Sequence, residues 1–110
     1  MNAGRFGLTE ATIEKIGGVL SRHPQVEQAL LYGSRAKGNY KNGSDIDLTL
    51  VGEELDSSIL GQISWELDDL LLPYMIDLSL FSKLTHPELV EHIQRVGIIF
   101  YERAAAQRRL

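Results

Sequence analysis

Apolar residues recur along this chain with two periods, and the places where the period changes mark out its elements. After Thr9 the apolar positions Ile13, Ile16 and Leu20 fall three and four apart. That spacing predicts a helix capped by the Thr9 hydroxyl and ended at the His23-Pro24 step, despite Gly17 and Gly18. Val26 to Tyr32 is a short apolar run of the kind that makes a buried strand, and it leads straight into Gly33 and Ser34. A short helix over Ser34 to Lys37 is expected next, and then a loop over Gly38 to Ser44, where glycine, asparagine and serine collect. Asp45 to Val51 alternates polar and aliphatic residues, which marks a second strand. Asp56 can cap a long helix whose stripe is Ile59, Leu60, Ile63, Leu67, Leu70 and Leu71, closed by Pro73. Tyr74 to Phe81 reads as a third strand. Thr85 and Glu88 have the spacing of a capping box, with Pro87 in the first turn, and open a helix through Leu89, Ile93 and Val96 that stops near Gly97. Ile98 to Tyr101 makes a fourth strand. The order predicts an α+β domain, a small mixed sheet with its helices on one face.

Side chains alternate across a strand, so the faces of that sheet follow from the same pattern. Ile46, Leu48 and Leu50 share one face of the second strand, while Asp45, Asp47 and Thr49 share the other. The third strand repeats the arrangement, with Ile76, Leu78 and Leu80 opposed to Asp77 and Ser79. Aspartate is disfavoured in strands, so three of them on the face turned away from the helices call for a chemical reason. Asp45 and Asp47 lie roughly 6.6 Å apart along the strand and point the same way, close enough to share a pair of magnesium ions. Asp77, on an adjacent strand, would join them as a metal ligand or as the acceptor of a proton.

Composition narrows the chemistry. A chain of 110 residues has room for one domain, with a core expected from about residue 9 to 102. Its net charge of −4 argues against gripping nucleic acid by phosphate neutralisation alone, yet leaves room for a triphosphate held by backbone amides and a divalent cation. With no cysteine there is no disulfide, thiolate metal site or cysteine nucleophile. The longest apolar stretches are too short to span a bilayer and Met1 to Gly7 lacks a signal core, so a cytoplasmic location without membrane contact is expected.

The turn and the carboxylates form one larger pattern, Gly33-Ser34, ten residues, then Asp45-Ile46-Asp47. The run Leu31-Tyr32-Gly33-Ser34-Arg35-Ala36-Lys37-Gly38, followed by Gly43-Ser44-Asp45-Ile46-Asp47-Leu48, resembles the signature of the nucleotidyltransferase superfamily that includes DNA polymerase beta and kanamycin nucleotidyltransferase. The small size is similar to that of its minimal nucleotidyltransferase branch, whose members are encoded beside helical HEPN-domain proteins and act as antitoxins to them. The resemblance covers about Thr9 to Glu102. It implies that Gly33 and Ser34 bind the triphosphate, flanked by Arg35 and Lys37, and that Asp45 and Asp47 hold Mg2+. Asp77 in Met75-Ile76-Asp77-Leu78 matches the third carboxylate of the family, as metal ligand or base.

The function so implied is magnesium-dependent transfer of a nucleoside monophosphate, AMP from ATP, to a hydroxyl of a HEPN-domain toxin that is thereby silenced, within a hetero-oligomer. Two alternatives stand beside it. One is a nucleotide-binding antitoxin or regulatory subunit without turnover; the other is a nucleotidyltransferase acting on a small molecule such as an antibiotic, which would need an acceptor-binding domain that nothing after Tyr101 builds. His23, His86 and His92 share no metal-ligand spacing and are read as structural, as are Trp65 and the tyrosines. The tail with Arg103, Arg108 and Arg109 is expected as a frayed helix.

Overall fold

The computed structural model describes residues 5–104, in the order α1 (Glu10–Ser21), β1 (Gln28–Tyr32), α2 (Ser34–Lys37), β2 (Ile46–Val51), α3 (Ser57–Asp68), β3 (Ile76–Leu80), a 3-10 turn (Phe81–Lys83), α4 (Pro87–Val96) and β4 (Ile98–Glu102). Both long helices begin where their side-chain caps dictate. Thr9 Oγ1 accepts from the Thr12 amide at 3.1 Å, and Asp56 Oδ1 from the Ile59 amide at 2.9 Å, each satisfying a donor that the first turn leaves free.

The strands form one mixed sheet in the order β3-β2-β1-β4. β1 runs antiparallel to both β2 and β4, whereas β2 and β3 are parallel. A parallel pair needs a long crossover, and α3 supplies it. Opposite residues of an antiparallel pair share a face, so the pairs Ala29↔Leu50 and Leu31↔Leu48 put four apolar side chains on one side. Ile13, Ile16, Val19 and Leu20 of α1 and Ile63 and Leu67 of α3 pack there against Ile46, Leu48 and Leu50, and Leu8 closes the cluster at its N-terminal edge. This is an α+β fold with a mixed sheet, and α1 and α3 lie on its aliphatic face. α4 behaves differently, because its His92 stands edge-on to the ring of Tyr32, whose register partner is Asp47 on the opposite face.

Two helix boundaries depart from the sequence expectation. α3 stops at Asp68, short of Pro73, and Leu71 leaves the apolar stripe with a φ of 57° and 86% of its surface exposed. Pro73 drives Leu72 away from helical geometry, so the chain must leave the helix earlier. The capping box of Thr85 and Glu88 does not form. Proline is best placed at the first helical position, and Pro87 takes it, which makes His86 the N-cap without a side-chain bond and moves Thr85 outside. The expected tail helix with Arg108 and Arg109 lies outside the described residues from 105 onward. No helix among the described residues is long and apolar enough to cross a membrane.

Candidate active site

β1 ends by delivering Gly33 into a turn that only glycine tolerates, with φ 76° and ψ −155°. The need for glycine is steric as well as torsional: a Cβ there would overlap the Asp47 carboxylate, so the turn and the first half-buried aspartate of β2 are packed directly on each other. Ser34, half-buried, opens α2, and Lys37 at its end is exposed.

The parallel register places Asp47 beside Asp77, two carboxylates on neighbouring strands and on one face, roughly 4.8 Å apart between strand axes. Asp45 lies one residue before β2, two before Asp47, and is exposed. These neighbours mark themselves on Asp47. Burial raises its pKa from the usual 3.8, and the charges of Asp77 and Asp45 raise it further, while His92 opposes them. The Tyr32 hydroxyl is also pushed upward, by burial first and by the charges of Asp77 and Asp47, against a lowering hydrogen bond with Ser79. Ser79 Oγ in turn donates to Thr49 Oγ1 at 2.9 Å. A layer of hydroxyl groups thus lies beyond the carboxylates on the same face.

Arg35 takes a different place from the one expected of a nucleotide-binding residue. It is 3% exposed, and its Nε and Nη2 both donate to the Ser44 carbonyl, at 3.1 and 2.9 Å, while Nη1 donates to the Phe6 carbonyl at 2.8 Å. Its guanidinium also lies 5.2 Å from the ring centre of Tyr40 and 5.0 Å from that of Tyr74. All three of its nitrogens donate to backbone carbonyls. What Arg35 holds is the residue immediately before Asp45, so it braces the loop that joins the turn to β2.

His92 has no local signal in the sequence. Metal-ligand spacing offers it no partner, whereas its contact is with the turn: the Gly33 amide donates to His92 Nε2 at 3.4 Å across 59 positions. No local pattern predicts a meeting between α4 and the end of β1 at that separation.

The carboxylates fit a hard divalent cation in their chemistry, since all three offer oxygen alone and crowd negative charge on one open face. Among the described residues no three aspartate, glutamate or histidine side chains already converge as a ligand set. Asp45, Asp47 and Asp77 share a face without closing on one point.

Comparison with known proteins places this geometry. The family model described as "Polymerase beta, Nucleotidyltransferase" matches residues 14–106. No curated protein matches the sequence significantly. Among solved structures, a toxin-antitoxin crystallised with AMP-PNP superposes with a TM-score of 0.65 at 21% identity, covering 91% of this chain and 77% of that one. The toxin-antitoxin MntA-HepT gives 0.63 at 19% identity, covering 84% and 72%. A tri-AMPylated Shewanella oneidensis HEPN toxin in complex with MNT antitoxin gives 0.63 at 19%, covering 84% and 71%. At these identities the likeness is one of fold.

Proposed function

This chain belongs to the polymerase beta nucleotidyltransferase family, and from that premise we propose that it transfers AMP from ATP to a hydroxyl group of a HEPN-domain toxin and so silences it. The observation that carries the reading is the register of Asp47 against Asp77 on parallel strands, with Asp47 packed on the Gly33 turn. The glycine turn and the paired carboxylates are thereby fixed to one another. The AMP-PNP and AMPylated-toxin structures support the nucleotide and the partner.

In this reading the Gly33 turn and the Ser34 hydroxyl hold the outer phosphates, with Lys37 free to swing toward them. Asp45 and Asp47 would hold magnesium, which would supply the charge neutralisation that lets a polyanion settle on an acidic face. Asp77 accepts the proton of the acceptor hydroxyl as its oxygen bonds to the α-phosphorus; the bond from that phosphorus to the bridging oxygen breaks, and pyrophosphate leaves.

The test uses the purified chain, magnesium and α-labelled ATP, with and without a small helical HEPN protein. Label should move to the partner only when both are present, and Asp45→Asn should abolish it. Tight magnesium-dependent ATP binding without any transfer would replace the enzyme by a nucleotide-sensing antitoxin. Binding that is unchanged in Asp45→Asn would overturn the metal assignment.

A further inference from the structure

We propose that His92 is a contact of the triphosphate itself, a phosphate-binding side chain supplied by α4 in addition to the turn and the carboxylates. The inference rests on the nucleotidyltransferase reading and adds a residue to it. Its basis is position: His92 Nε2 is the acceptor for the Gly33 N–H, a backbone donor of the turn, and the imidazole stands edge-on to Tyr32 with ring centres 6.3 Å apart. Tyr32 is the register partner of Asp47. His92 therefore stands against the turn and beside the strand partner of Asp47, at the edge of the site where the outer phosphates of a bound nucleotide would lie.

The Gly33 hydrogen bond is long, and a phosphate oxygen, being charged, is a stronger acceptor than an imidazole nitrogen. When phosphate takes the amide, Nε2 loses its donor. A neutral imidazole carries its proton on either nitrogen, so Nε2 can change from acceptor to donor by moving the proton from Nδ1, with no change of charge. The same phosphate oxygen then receives both the Gly33 N–H and the His92 Nε2–H. His92 holds the turn in shape while the site is free and binds the nucleotide when it is filled.

Three measurements test this. Calorimetry with ATP and magnesium should show His92→Ala weakening affinity roughly tenfold or more, the loss of one hydrogen bond to a charged oxygen. Adenosine, which has no phosphate, should bind wild type and variant alike, and His92→Gln, which keeps a donor, should recover much of the ATP affinity. In wild-type protein the imidazole Nε2 resonance should move from the unprotonated to the protonated range when ATP and magnesium are added, a change that no purely structural histidine would show. Equal ATP affinity in wild type and His92→Ala, or an Nε2 resonance that stays unprotonated on saturation, overturns the proposal. Asp45→Asn separates the two levels: if it loses magnesium-dependent ATP binding while His92→Ala does not, only the role of His92 fails, and if neither loses it, the nucleotide site fails with it.

Discussion

Glu66 on α3 and Asp47 on β2 are both partly covered carboxylates, and the chain surrounds them in opposite ways. Glu66 receives a hydrogen bond from His23 Nε2 at 3.0 Å and has the Arg22 guanidinium at 3.5 Å, and that company lowers its pKa. Asp47 faces Asp77 and Asp45, has only His92 to offset them, and its pKa is raised. The first carboxylate has its partners built in. The second is held among like charges by the register of a sheet, an arrangement that costs folding free energy and is relieved by protonation or by a bound cation. The contrast bears on the proposed function: where the chain supplies the carboxylate's partners the contact ties the end of α1 to α3, and where it gathers like charges a bound cation would relieve them.

The largest expected effect lies on the like-charged side. Asp77→Asn should slow transfer to the partner by roughly 10² to 10⁴ while ATP affinity stays within about tenfold, the separation expected when a general base is lost. Rapid-quench transfer measured beside equilibrium binding reads both. If Asp77 is instead a metal ligand, both quantities fall and high magnesium restores part of each. Transfer at the wild-type rate would remove Asp77 from the site and leave the contrast with Glu66 without a catalytic meaning.

Next in size is the link between the turn and the carboxylate strand. Arg35→Ala should lower stability by about 2–4 kcal/mol, because it strips the Ser44 and Phe6 carbonyls of buried charged donors and opens a gap between two tyrosine rings. Denaturant unfolding measures this directly. Arg35→Lys should recover little, since one ammonium cannot reproduce the fork on Ser44 and the reach to Phe6. A lysine variant as stable as wild type would show that Arg35 braces nothing.

The sheet, its carboxylate face and the glycine turn were legible in the sequence because each has a local cause: alternation for the faces, cap residues for α1 and α3, and a fixed spacing between Gly33 and Asp45. The parts that were not legible depend on distant segments meeting. Arg35 reads as a solvated charge on a four-residue helix until Phe6 and Ser44 come within its reach, and His92 reads as one of three unrelated histidines until α4 is set against β1. The helix boundaries at Leu71 and Thr85 failed for another reason. In each case a proline overruled a pattern that periodicity and capping rules support, and backbone sterics outweigh both.

A smaller effect checks the cost of the like-charge cluster. Asp47→Asn should raise the stability of the nucleotide-free protein at neutral pH slightly, since it removes a partly buried charge that its neighbours repel. Thermal unfolding without divalent cations should show the gain, and excess magnesium with ATP should reverse the ranking by stabilising wild type alone. A variant less stable than wild type under both conditions would mean that the Asp47 side chain supports the fold.

The smallest effect is the most direct comparison of the two carboxylates, because their displaced pKa values make opposite demands on pH. Glu66 titrates below its ordinary 4.5 in the folded chain. Its stabilising contribution is therefore complete above the unfolded value and is lost as pH falls through the folded one. Glu66→Gln should be slightly less stable than wild type at neutral pH, and the difference should fade as the solution is acidified past the usual glutamate range. Asp47 runs the other way. Its folded pKa lies above 3.8, so its charge weakens the fold at neutral pH and the penalty disappears as pH falls through the folded value. The advantage of Asp47→Asn should shrink over that window. Unfolding midpoints of wild type and both variants, followed from neutral pH into acid, should thus give two differences of opposite sign that both decay toward zero. Differences of the same sign would mean that the surroundings of the two carboxylates are alike in their effect, and the division of this domain into a self-neutralised contact and a charged site awaiting its ligand would fall.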